Sequence, residues 1–525
     1  MFALAFIVLL ETVSVHSQTC EGLDNGFYCI DDTSYLWCYG QKQGQKSKCQ
    51  GTTVCKCGRT AYNPCVWSWT DLPDCSLKPG DYFESSETPD LPDESSSAAP
   101  PKPESSEEPT PESSSKPPEP PEESSSEPQK PESSEEPKPE ESSEKPQSSS
   151  EQEESSEENI EKKMVSYFTN WAQYRWASID GWACKFTPEN VDPTIVDVIN
   201  YAFVVFDSSY TVKEYEWNDD QNIPKIVALK SRNPNLQVLA SIGGWNFNFF
   251  ESTKHLFSEM AEKQTSRATF IKSAMDFARK YNLDGIDIDW EYPANEDQGG
   301  RPVDTQSFTL LLKEFREAIN AEKLTGNRKR LLLTIAAPAG PKNIVNLEVS
   351  KFHPYLDWIN LMTYDLHGAW DEVTGSHTAL YADDTLSVHD CVQAYLTEGV
   401  PPHKLIVGMA HYGRGWTLTF ANDHLMGSPT SGASRSGQCT GENGYLAKYE
   451  IDAAIPSSNV QYDPESMTMY GYSGDQFFSF DDQTTFKYKT DYVCKHKLGG
   501  AMIWSLDLDK NYVNTKFIKK QIDKC

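Results

Sequence analysis

The sequence lacks an excess of positive charge, and its apolar stretches are short. Lysine and arginine number 47 against 78 aspartate and glutamate residues, so the net charge is −31. A chain this acidic would be repelled by phosphate backbones, so we expect no nucleic-acid partner. The apolar run at residues 2–10 is too short to span a bilayer, which takes about 20 residues. It ends close to Ser17 and predicts a cleaved signal peptide at residues 1–17, hence secretion without a membrane anchor.

Aromatic residues are missing between Phe83 and Tyr167, and the chain has no Asn-x-Ser/Thr glycosylation sequon. Residues 84–158 consist of imperfect Glu-Ser-Ser-Pro units and hold 24 acidic residues against five lysines, which accounts for −19 of the net charge. Such a segment cannot bury enough apolar area to offset chain entropy. It predicts a disordered, extended linker over residues 84–159, and the remaining charge of −12 is ordinary.

Residues 18–83, before the linker, have no histidine but are rich in cysteine and in aromatic residues. Eight of the 13 cysteines lie there, at Cys20, Cys29, Cys38, Cys49, Cys55, Cys57, Cys65 and Cys75. This density predicts a disulfide-rich module at residues 18–83. A zinc site is less consistent with the segment, because its ligands would be histidines or CxxC cysteine pairs, and both are absent here. Its aromatic rings either stack on sugars, which would make the module carbohydrate-binding, or pack around the disulfides; the composition leaves both possibilities open.

Beyond the linker, short apolar runs alternate with amphipathic stretches such as residues 269–281 and 307–324. Eight such runs separated by helix-compatible segments predict an α/β fold, a (β/α)8 TIM barrel spanning residues 160–525. The runs are 164–170, 196–206, 236–245, 283–292, 330–339, 356–367, 404–413 and 498–509.

The spacing between the seventh and eighth runs is unusually long. It leaves room for a small subdomain at about residues 415–485 in addition to the usual helix. Its glycine, serine and tyrosine content predicts a mostly β insertion with some helix.

The fourth run, LDGIDIDWEYP at residues 283–293, places carboxylates inside a strand. Side chains two apart share a face, so Asp287, Asp289 and Glu291 point one way and the apolar residues between them point the other. The acids must then face into the barrel, where mutual repulsion keeps at least one protonated near neutral pH. We expect that acid to be Glu291, nearest the end of the barrel where the chemistry of such folds occurs. Asp284 lies on the other face, where a structural role is expected.

A metal site and a solvated acidic edge are the alternatives for this row of acids. A metal would need further ligands, for which His367 and His411 are the candidates on neighbouring strand ends. An exposed edge would not alternate with isoleucine and tryptophan.

The sequence DGIDIDWE resembles the DxxDxDxE signature of glycoside hydrolase family 18, the chitinases. Further family elements appear in the family's order, on the first, second, third, sixth and eighth runs and after the seventh. They are YFTNW (167–171), YAF (201–203), SIGGW (241–245), MTYD (362–365), YGR (412–414) and IWSLDLD (503–509). The combination with an eight-cysteine module and an acidic linker resembles more narrowly the secreted chitinases of encysting amoebae.

The resemblance implies hydrolysis of chitin in which the acetamido group of the substrate acts as the nucleophile. Glu291 would be the acid and base, Asp289 would orient the acetamido group, and Asp287 would share a proton behind it. Tyr364 would donate a hydrogen bond to the acetamido oxygen. The residues implied in substrate binding are Tyr167, Phe203, Gly244, Trp245, Met362, Asp365, Tyr412, Arg414 and Trp504.

The resemblance implies no cofactor and no metal, with chitin and its oligosaccharides as partners of a monomeric endo-acting enzyme. A non-catalytic chitin-binding lectin and a hydrolase of the chitobiose core of N-glycans are the alternatives. Where many animal relatives carry a cysteine before the first strand, this chain has Val165 and Ser166. Its barrel region holds an odd number of cysteines, and a Cys439–Cys494 bridge anchoring the insertion is the expected pairing.

Overall fold

The structure is a computed structural model that describes residues 161–525, except Asp180, and the backbone of short strands nearer the N-terminus. Those strands are Gln18–Thr19, Gly26–Asp31, Ser34–Tyr39, Gln43–Lys48, Thr53–Cys55 and Cys65–Trp67. The first four form an antiparallel sheet, and the last two pair with each other. The expected signal peptide, the linker and the cysteine side chains of residues 18–83 lie outside the described residues.

Eight parallel strands close into a barrel, as the eight apolar runs predict. The eighth strand pairs with the first through Gly500 and Lys163, and the first pairs with the second through Val165 and Val198, so the sheet has no open edge. The strands are β1 (Lys163–Thr169), β2 (Val198–Phe206), β3 (Gln237–Gly243), β4 (Gly285–Asp289), β5 (Leu332–Pro338), β6 (Trp358–Met362), β7 (Leu405–Ala410) and β8 (Gly500–Trp504). The (β/α)8 barrel is confirmed.

Helices connect the strands on the outside and within the loops. They are α1 (Asp219–Ala228), α2 (Trp245–Phe249), α3 (Leu256–Glu262), α4 (Gln264–Lys280), α5 (Asp304–Ala321), α6 (Pro341–Ile344), α7 (Val349–Phe352), α8 (Val388–Thr397), α9 (Lys448–Ala454), α10 (Gln483–Lys495) and α11 (Val513–Ile522). Single 3-10 turns lie at Asn170–Tyr174, Pro188–Asn190, Leu229–Ser231, Glu296–Gln298, His353–Tyr355, Pro402–Lys404, Ser457–Asn459, Leu506–Leu508 and Lys510–Tyr512. In the part of the chain that the structure describes, no helix is long and apolar enough to cross a membrane.

The α5 helix illustrates why these segments are helical. Phe308, Leu312, Phe315 and Ile319 recur at helical spacing and are all buried against the barrel. Asp304 begins the helix and accepts hydrogen bonds from the Ser258 hydroxyl and the Arg301 N–H, both at 2.6 Å. Helix α5 therefore starts three residues before the predicted stretch.

Two apolar cores lie on the two sides of the barrel wall. The larger one fills the layer between strands and helices and contains the outward-facing Ile286, Ile288 and Trp290. The smaller one lies inside the barrel and continues towards the insertion, with Val165, Met502 and other residues. The alternation of the strands thus supplies one residue set to each core.

The insertion after β7 begins at Tyr412, three residues before the predicted start. It is a six-stranded antiparallel sheet with α9 against it. Its strands are Tyr412–Leu418, Thr430–Ala433, Tyr445–Ala447, Val460–Asp463, Thr468–Ser473 and Gln476–Phe480. The mostly β character of the insertion agrees with the prediction.

The expected Cys439–Cys494 bridge is wrong. Cys184 pairs with Cys439, and Cys494 pairs with Cys525, leaving Cys391 as the buried free thiol among the described residues. Spacing alone could not find these pairs, since Cys184 and Cys439 are 255 residues apart and meet only in the folded barrel.

Candidate active site

The strand register places the carboxylates of β4 among polar side chains inside the barrel. Asp287 pairs with Ser241 of β3 and with Thr334 of β5, and Asp289 pairs with Gly243. Residues that pair across parallel strands share a face, so Asp287 has a hydroxyl on each side. The exposed fractions of Asp287, Asp289 and Glu291 are 0%, 2% and 8%.

Asp287 is held by four side chains from four different strands. The hydroxyls of Tyr167 and Ser241 donate to its Oδ2 at 2.8 and 2.9 Å. The Thr334 hydroxyl and the Asn360 amide donate to its Oδ1 at 2.6 and 3.1 Å. Burial nevertheless raises the pKa of Asp287, and the hydrogen bonds oppose this effect.

Asp289 and Glu291 lie above Asp287 and hydrogen-bond to each other. Burial raises the pKa of Asp289 well above its usual range, and the charges of Glu291 and Asp287 raise it further. Burial raises the pKa of Glu291 to about 8, with a further contribution from the charge of Asp365. The pair therefore carries at least one proton at neutral pH, as a proton donor requires.

Two tyrosines complete the surroundings of these carboxyls. Tyr292 donates a hydrogen bond to Glu291. Among the described residues, the Tyr364 hydroxyl donates only to the Met502 sulfur, 3.8 Å away, and thioethers are weak acceptors. Burial, then the charge of Asp289, raises the pKa of Tyr364 well above its usual range, so its hydroxyl remains a donor.

Asp365 links the end of β6 to the insertion. Arg414 donates to its carboxylate through Nε and Nη2, both at 2.7 Å, and the Tyr412 hydroxyl donates to Oδ1 at 2.7 Å. Buried His377 is 3.8 Å from the same oxygen. Although burial alone would raise the pKa of Asp365, the Arg414 guanidinium holds it well below the usual range. Asp365 therefore stays ionised beside Glu291.

Aromatic rings form a cluster beside the carboxyls at the barrel mouth. Trp504, at the end of β8, stacks on Phe203 with ring centroids 5.8 Å apart and lies 5.2 Å from Tyr167. Phe203 also stacks on Trp171, at 5.8 Å. Gly244 borders this cluster, and a Cβ built there would overlap the Phe203 ring. Flat, partly exposed rings of this kind suit the faces of sugars.

The other residues singled out from the sequence have distinct positions. Met362 is buried in the inner core near Tyr364. Trp245 begins α2, is 48% exposed and stacks on Phe249 rather than on the cluster around Trp504. Asp284 lies at the far end of β4, where it accepts from the Val238 N–H at 2.7 Å and pairs with Lys230 at 2.6 Å. These contacts agree with a structural role.

The two histidines that are candidate metal ligands, His367 and His411, lie near carboxylates other than those of the β4 row. His367 bonds to Asp371 at 3.1 Å and to Asp384 at 3.0 Å. His411 is buried, 4.0 Å from Asp509. Within residues 161–525, Asp180 apart, no group of three or more His, Cys, Asp or Glu side chains is arranged to hold a metal ion.

Sequence reasoning missed several residues of the site. Ser241, Thr334 and Asn360 could have been found by extending the strand parity from β4 to its neighbours. Trp171 and Tyr292 lie inside the motifs YFTNW and LDGIDIDWEYP, in which other residues are the predicted site residues. Asn170 also lies in such a motif, and its amide donates to the Phe203 carbonyl at 3.1 Å and to buried Asp219. His377 had no signal, because only the fold brings its loop to Asp365.

This arrangement can be compared with known proteins. A sequence model of the glycosyl hydrolases family 18 matches residues 163–509, from β1 to the loop after β8. The chain belongs to this family. The four acidic positions of DGIDIDWE thus lie within a family 18 glycoside hydrolase barrel.

Individual relatives support the assignment to family 18. Chitotriosidase-1 of Mus musculus is 35% identical over 356 residues, which cover 66% of this chain and 73% of that protein. The structure resembles an immunomodulatory active chitinase from Trichuris suis, with a TM-score of 0.62 and 32% identity over 69% of this chain and 98% of that one. It also resembles a human pseudo-chitinase with retained chitooligosaccharide binding properties, at a TM-score of 0.62 and 30% identity over 69% and 99%.

Proposed function

We propose that the protein is an endo-acting chitinase that hydrolyses β-1,4 linkages between N-acetylglucosamine units. The observation that carries this proposal is the buried row of Asp287, Asp289 and Glu291, whose pKa values are all raised, beside the aromatic rings at the barrel mouth. A buried carboxyl with a pKa of about 8 is a proton donor at neutral pH. The similarity to named chitinases supports chitin as the substrate.

In the proposed reaction Glu291 gives its proton to the glycosidic oxygen while the acetamido oxygen of the −1 sugar attacks the anomeric carbon. The bond to the leaving sugar breaks and a cyclic oxazolinium forms. Glu291, now ionised, removes a proton from water as the water opens that ring from the opposite face, so the configuration is retained and Glu291 is protonated again. The scheme needs no metal or cofactor, because Glu291 and the substrate supply acid, base and nucleophile.

The neighbours of Glu291 would position the acetamido group. Asp289 Oδ1 is buried and has no hydrogen-bond partner among the described residues, so it can accept from the acetamido N–H. Asp287, held by its four donors, would share a proton with Asp289 as positive charge develops on the sugar. Tyr364, whose hydroxyl has only a sulfur as partner within residues 161–525, would donate to the acetamido oxygen.

Substrate binding is proposed for residues around this centre. Trp504 would lie under the −1 sugar, and Tyr167, Phe203 and Gly244 would shape the wall beside it. Trp245 would extend the surface along α2. Met362, Asp365, Tyr412 and Arg414 would contact the sugar from the side of β6 and the insertion.

A chitin lectin without activity is the second candidate, since one structural neighbour is a pseudo-chitinase that retains oligosaccharide binding. The proton that the Asp289–Glu291 pair carries at neutral pH favours the enzyme over the lectin, because a protein that only binds sugar does not need a proton donor. The chitobiose core of N-glycans is an alternative substrate for the same chemistry. Arg414 and Tyr445 of the insertion form a wall beside the site, and this wall favours a longer sugar polymer such as chitin as the substrate.

The proposal extends to the whole chain. We propose secretion after removal of residues 1–17, a chitin-binding module at 18–83 and a linker at 84–159 before the catalytic domain at 160–525, in a monomeric protein. Two disulfides within the catalytic domain support an oxidising compartment. The eight-cysteine module and acidic linker support the narrower resemblance to chitinases of encysting amoebae.

The first test compares an N-acetylglucosamine hexamer with a glucosamine hexamer by mass spectrometry of the products. The wild-type protein should cleave only the acetylated hexamer, because the acetamido group supplies the nucleophile. The Glu291→Gln variant should lose about 10³-fold in kcat, as expected when a general acid is removed. Its Kd for the acetylated hexamer, measured by calorimetry, should change little.

Asp284→Asn is the matched control, since it alters a carboxylate of the same motif that pairs with Lys230 outside the barrel. It should retain the wild-type kcat. Binding without cleavage by the wild-type protein would support the lectin instead. Cleavage of the deacetylated hexamer would contradict substrate assistance.

A further inference from the structure

The insertion is joined covalently to the loop after β1. Cys184 follows a small hairpin of that loop, formed by Ser178–Ile179 and Trp182–Ala183. Cys439 lies in the insertion, ahead of the strand Tyr445–Ala447. The disulfide between them connects two chain segments that the barrel strands alone would not hold together.

The disulfide lies in a buried contact between these segments. Cys184 and Cys439 belong to the inner apolar core, together with Ala177 of the loop and Ala447 and Tyr449 of the insertion. The hairpin packs against α9. The bridge therefore reinforces a wall made from both segments.

On the insertion side, hydrogen bonds connect the disulfide to the site. Buried Glu450 accepts from the N–H groups of Cys439 at 2.6 Å and Ala447 at 2.9 Å. The Thr440 hydroxyl lies 2.7 Å from Glu450 Oε2 and 3.0 Å from the Tyr445 carbonyl oxygen, and it can donate its one proton to either acceptor. A movement of Cys439 would thus be felt at Tyr445.

Tyr445 in turn contacts the residues that hold Asp365. Its ring centroid is 4.4 Å from that of Tyr412 and 5.1 Å from the Arg414 guanidinium carbon. On the other side, the loop after β1 carries Trp171, which stacks on Phe203. The two segments that the disulfide joins therefore each carry side chains that border the proposed sugar-binding surface.

We propose that the Cys184–Cys439 disulfide is a positioning strut that sets the spacing between Trp171 and the Tyr445–Arg414 wall and so raises the affinity for chitin oligosaccharides. This inference rests on the proposed function for its ligand. Because Glu291 lies in the loop that directly follows β4 and belongs to neither segment, loss of the strut weakens binding and leaves the proton transfer in place. When the disulfide already holds the wall in its binding position, less conformational entropy is lost on binding, and the affinity is higher.

The test measures binding of the N-acetylglucosamine hexamer to the full chain, by calorimetry in a Glu291→Gln background and by KM and kcat with Glu291 intact. Replacing both cysteines, Cys184→Ala with Cys439→Ala, should raise Kd and KM about tenfold, equivalent to about 1.4 kcal/mol. The kcat should stay within about twofold of the wild-type value, since the substitutions leave Glu291 and Asp289 on their own segment of the barrel.

The second disulfide provides the control. Cys494→Ala with Cys525→Ala removes the same chemical groups between the end of α10 and the chain end, and should lower the unfolding temperature without changing Kd. If the first double variant does not fold, Thr440→Val, which keeps the disulfide but cuts the link to Tyr445, should still raise Kd.

Unchanged Kd in both the Cys184/Cys439 variant and Thr440→Val overturns the strut. A fall in kcat with constant Kd overturns it as well. If the wild-type protein binds the hexamer but never cleaves it, the proposed function is refuted. If Cys184→Ala with Cys439→Ala still raises Kd in that case, the inference about the strut is supported. The two failures are therefore distinguishable.

Discussion

Asp287 and Asp289 are the same residue type on the same face of one strand, yet their surroundings differ. Asp287 accepts four hydrogen bonds, whereas one oxygen of Asp289 is buried without a partner in the part of the chain that the structure describes. Leaving such a group unpaired costs about 1–3 kcal/mol. We infer that the unpaired oxygen is a site for a donor on the ligand, since a bound acetamido N–H would remove that cost.

The raised pKa of Glu291 predicts a pH dependence. Glu291 must be protonated to act as the acid, so kcat/KM on a soluble hexamer should fall as the pH rises through about 8. Asp365→Asn removes a negative charge that raises this pKa, while Arg414 keeps its second acidic neighbour, Glu442, at 3.8 Å. The alkaline limb should then move to lower pH by on the order of one unit.

The profile of log(kcat/KM) against pH checks this shift, with Asp284→Asn as the control whose alkaline limb should coincide with the wild type. An alkaline limb that does not move in Asp365→Asn would mean that another group controls the proton. A shift to higher pH would contradict the assigned sign of the interaction.

At the scale of elements, the junction between β3 and α2 depends on two glycines. Gly243 and Gly244 both have positive φ, at 116° and 83°, and a Cβ on either would overlap neighbouring atoms. The junction lets the chain turn tightly beneath the Phe203 ring. Because Gly244 has no side chain, the Phe203 ring can pack directly against the backbone at this junction.

Gly244→Ala should therefore lower kcat/KM by roughly tenfold or more, because displacement of Phe203 disturbs the surface beside Trp504. Gly427→Ala is a matched control: Gly427 has nearly the same φ, 82°, but a Cβ there would meet no atom within 4 Å. Both variants should lose about 1–3 kcal/mol of stability, because alanine is strained at a positive φ. Equal activity in the two variants would show that Phe203 does not need Gly244.

At the scale of the whole molecule, the charge is unevenly distributed, with −19 of the net −31 in residues 84–158. An extended linker of this composition would let a chitin-binding module hold the catalytic domain near an insoluble polymer. Tethering raises the local concentration without adding chemistry.

Three lengths of chain test this arrangement: the full chain, residues 84–525 and residues 160–525. All should hydrolyse a soluble hexamer equally, whereas the two without the module should lose about tenfold or more on insoluble chitin. Residues 18–83 alone, refolded under oxidising conditions, should sediment with chitin. If residues 84–525 match the full chain on chitin, the module has a structural or protein-binding role.

Much of the fold could be predicted from the sequence because the signals are local. The eight apolar runs all contain barrel strands, and the long spacing after the seventh contains the insertion. The boundaries differ by a few residues, as at Trp504, where β8 ends five residues before the predicted run does. Strand ends depend on pairing with neighbours, which the sequence does not express.

For the site, the sequence by itself determined the carboxylate row of β4, since alternation within one strand decides which side chains share a face. Only the tertiary structure decided what surrounds it: the four donors to Asp287, the Arg414–Asp365 pair and His377 come from segments far apart in the chain. The same reason explains the cysteines, because a disulfide depends on distance in space and Cys184 meets Cys439 only after the barrel has closed.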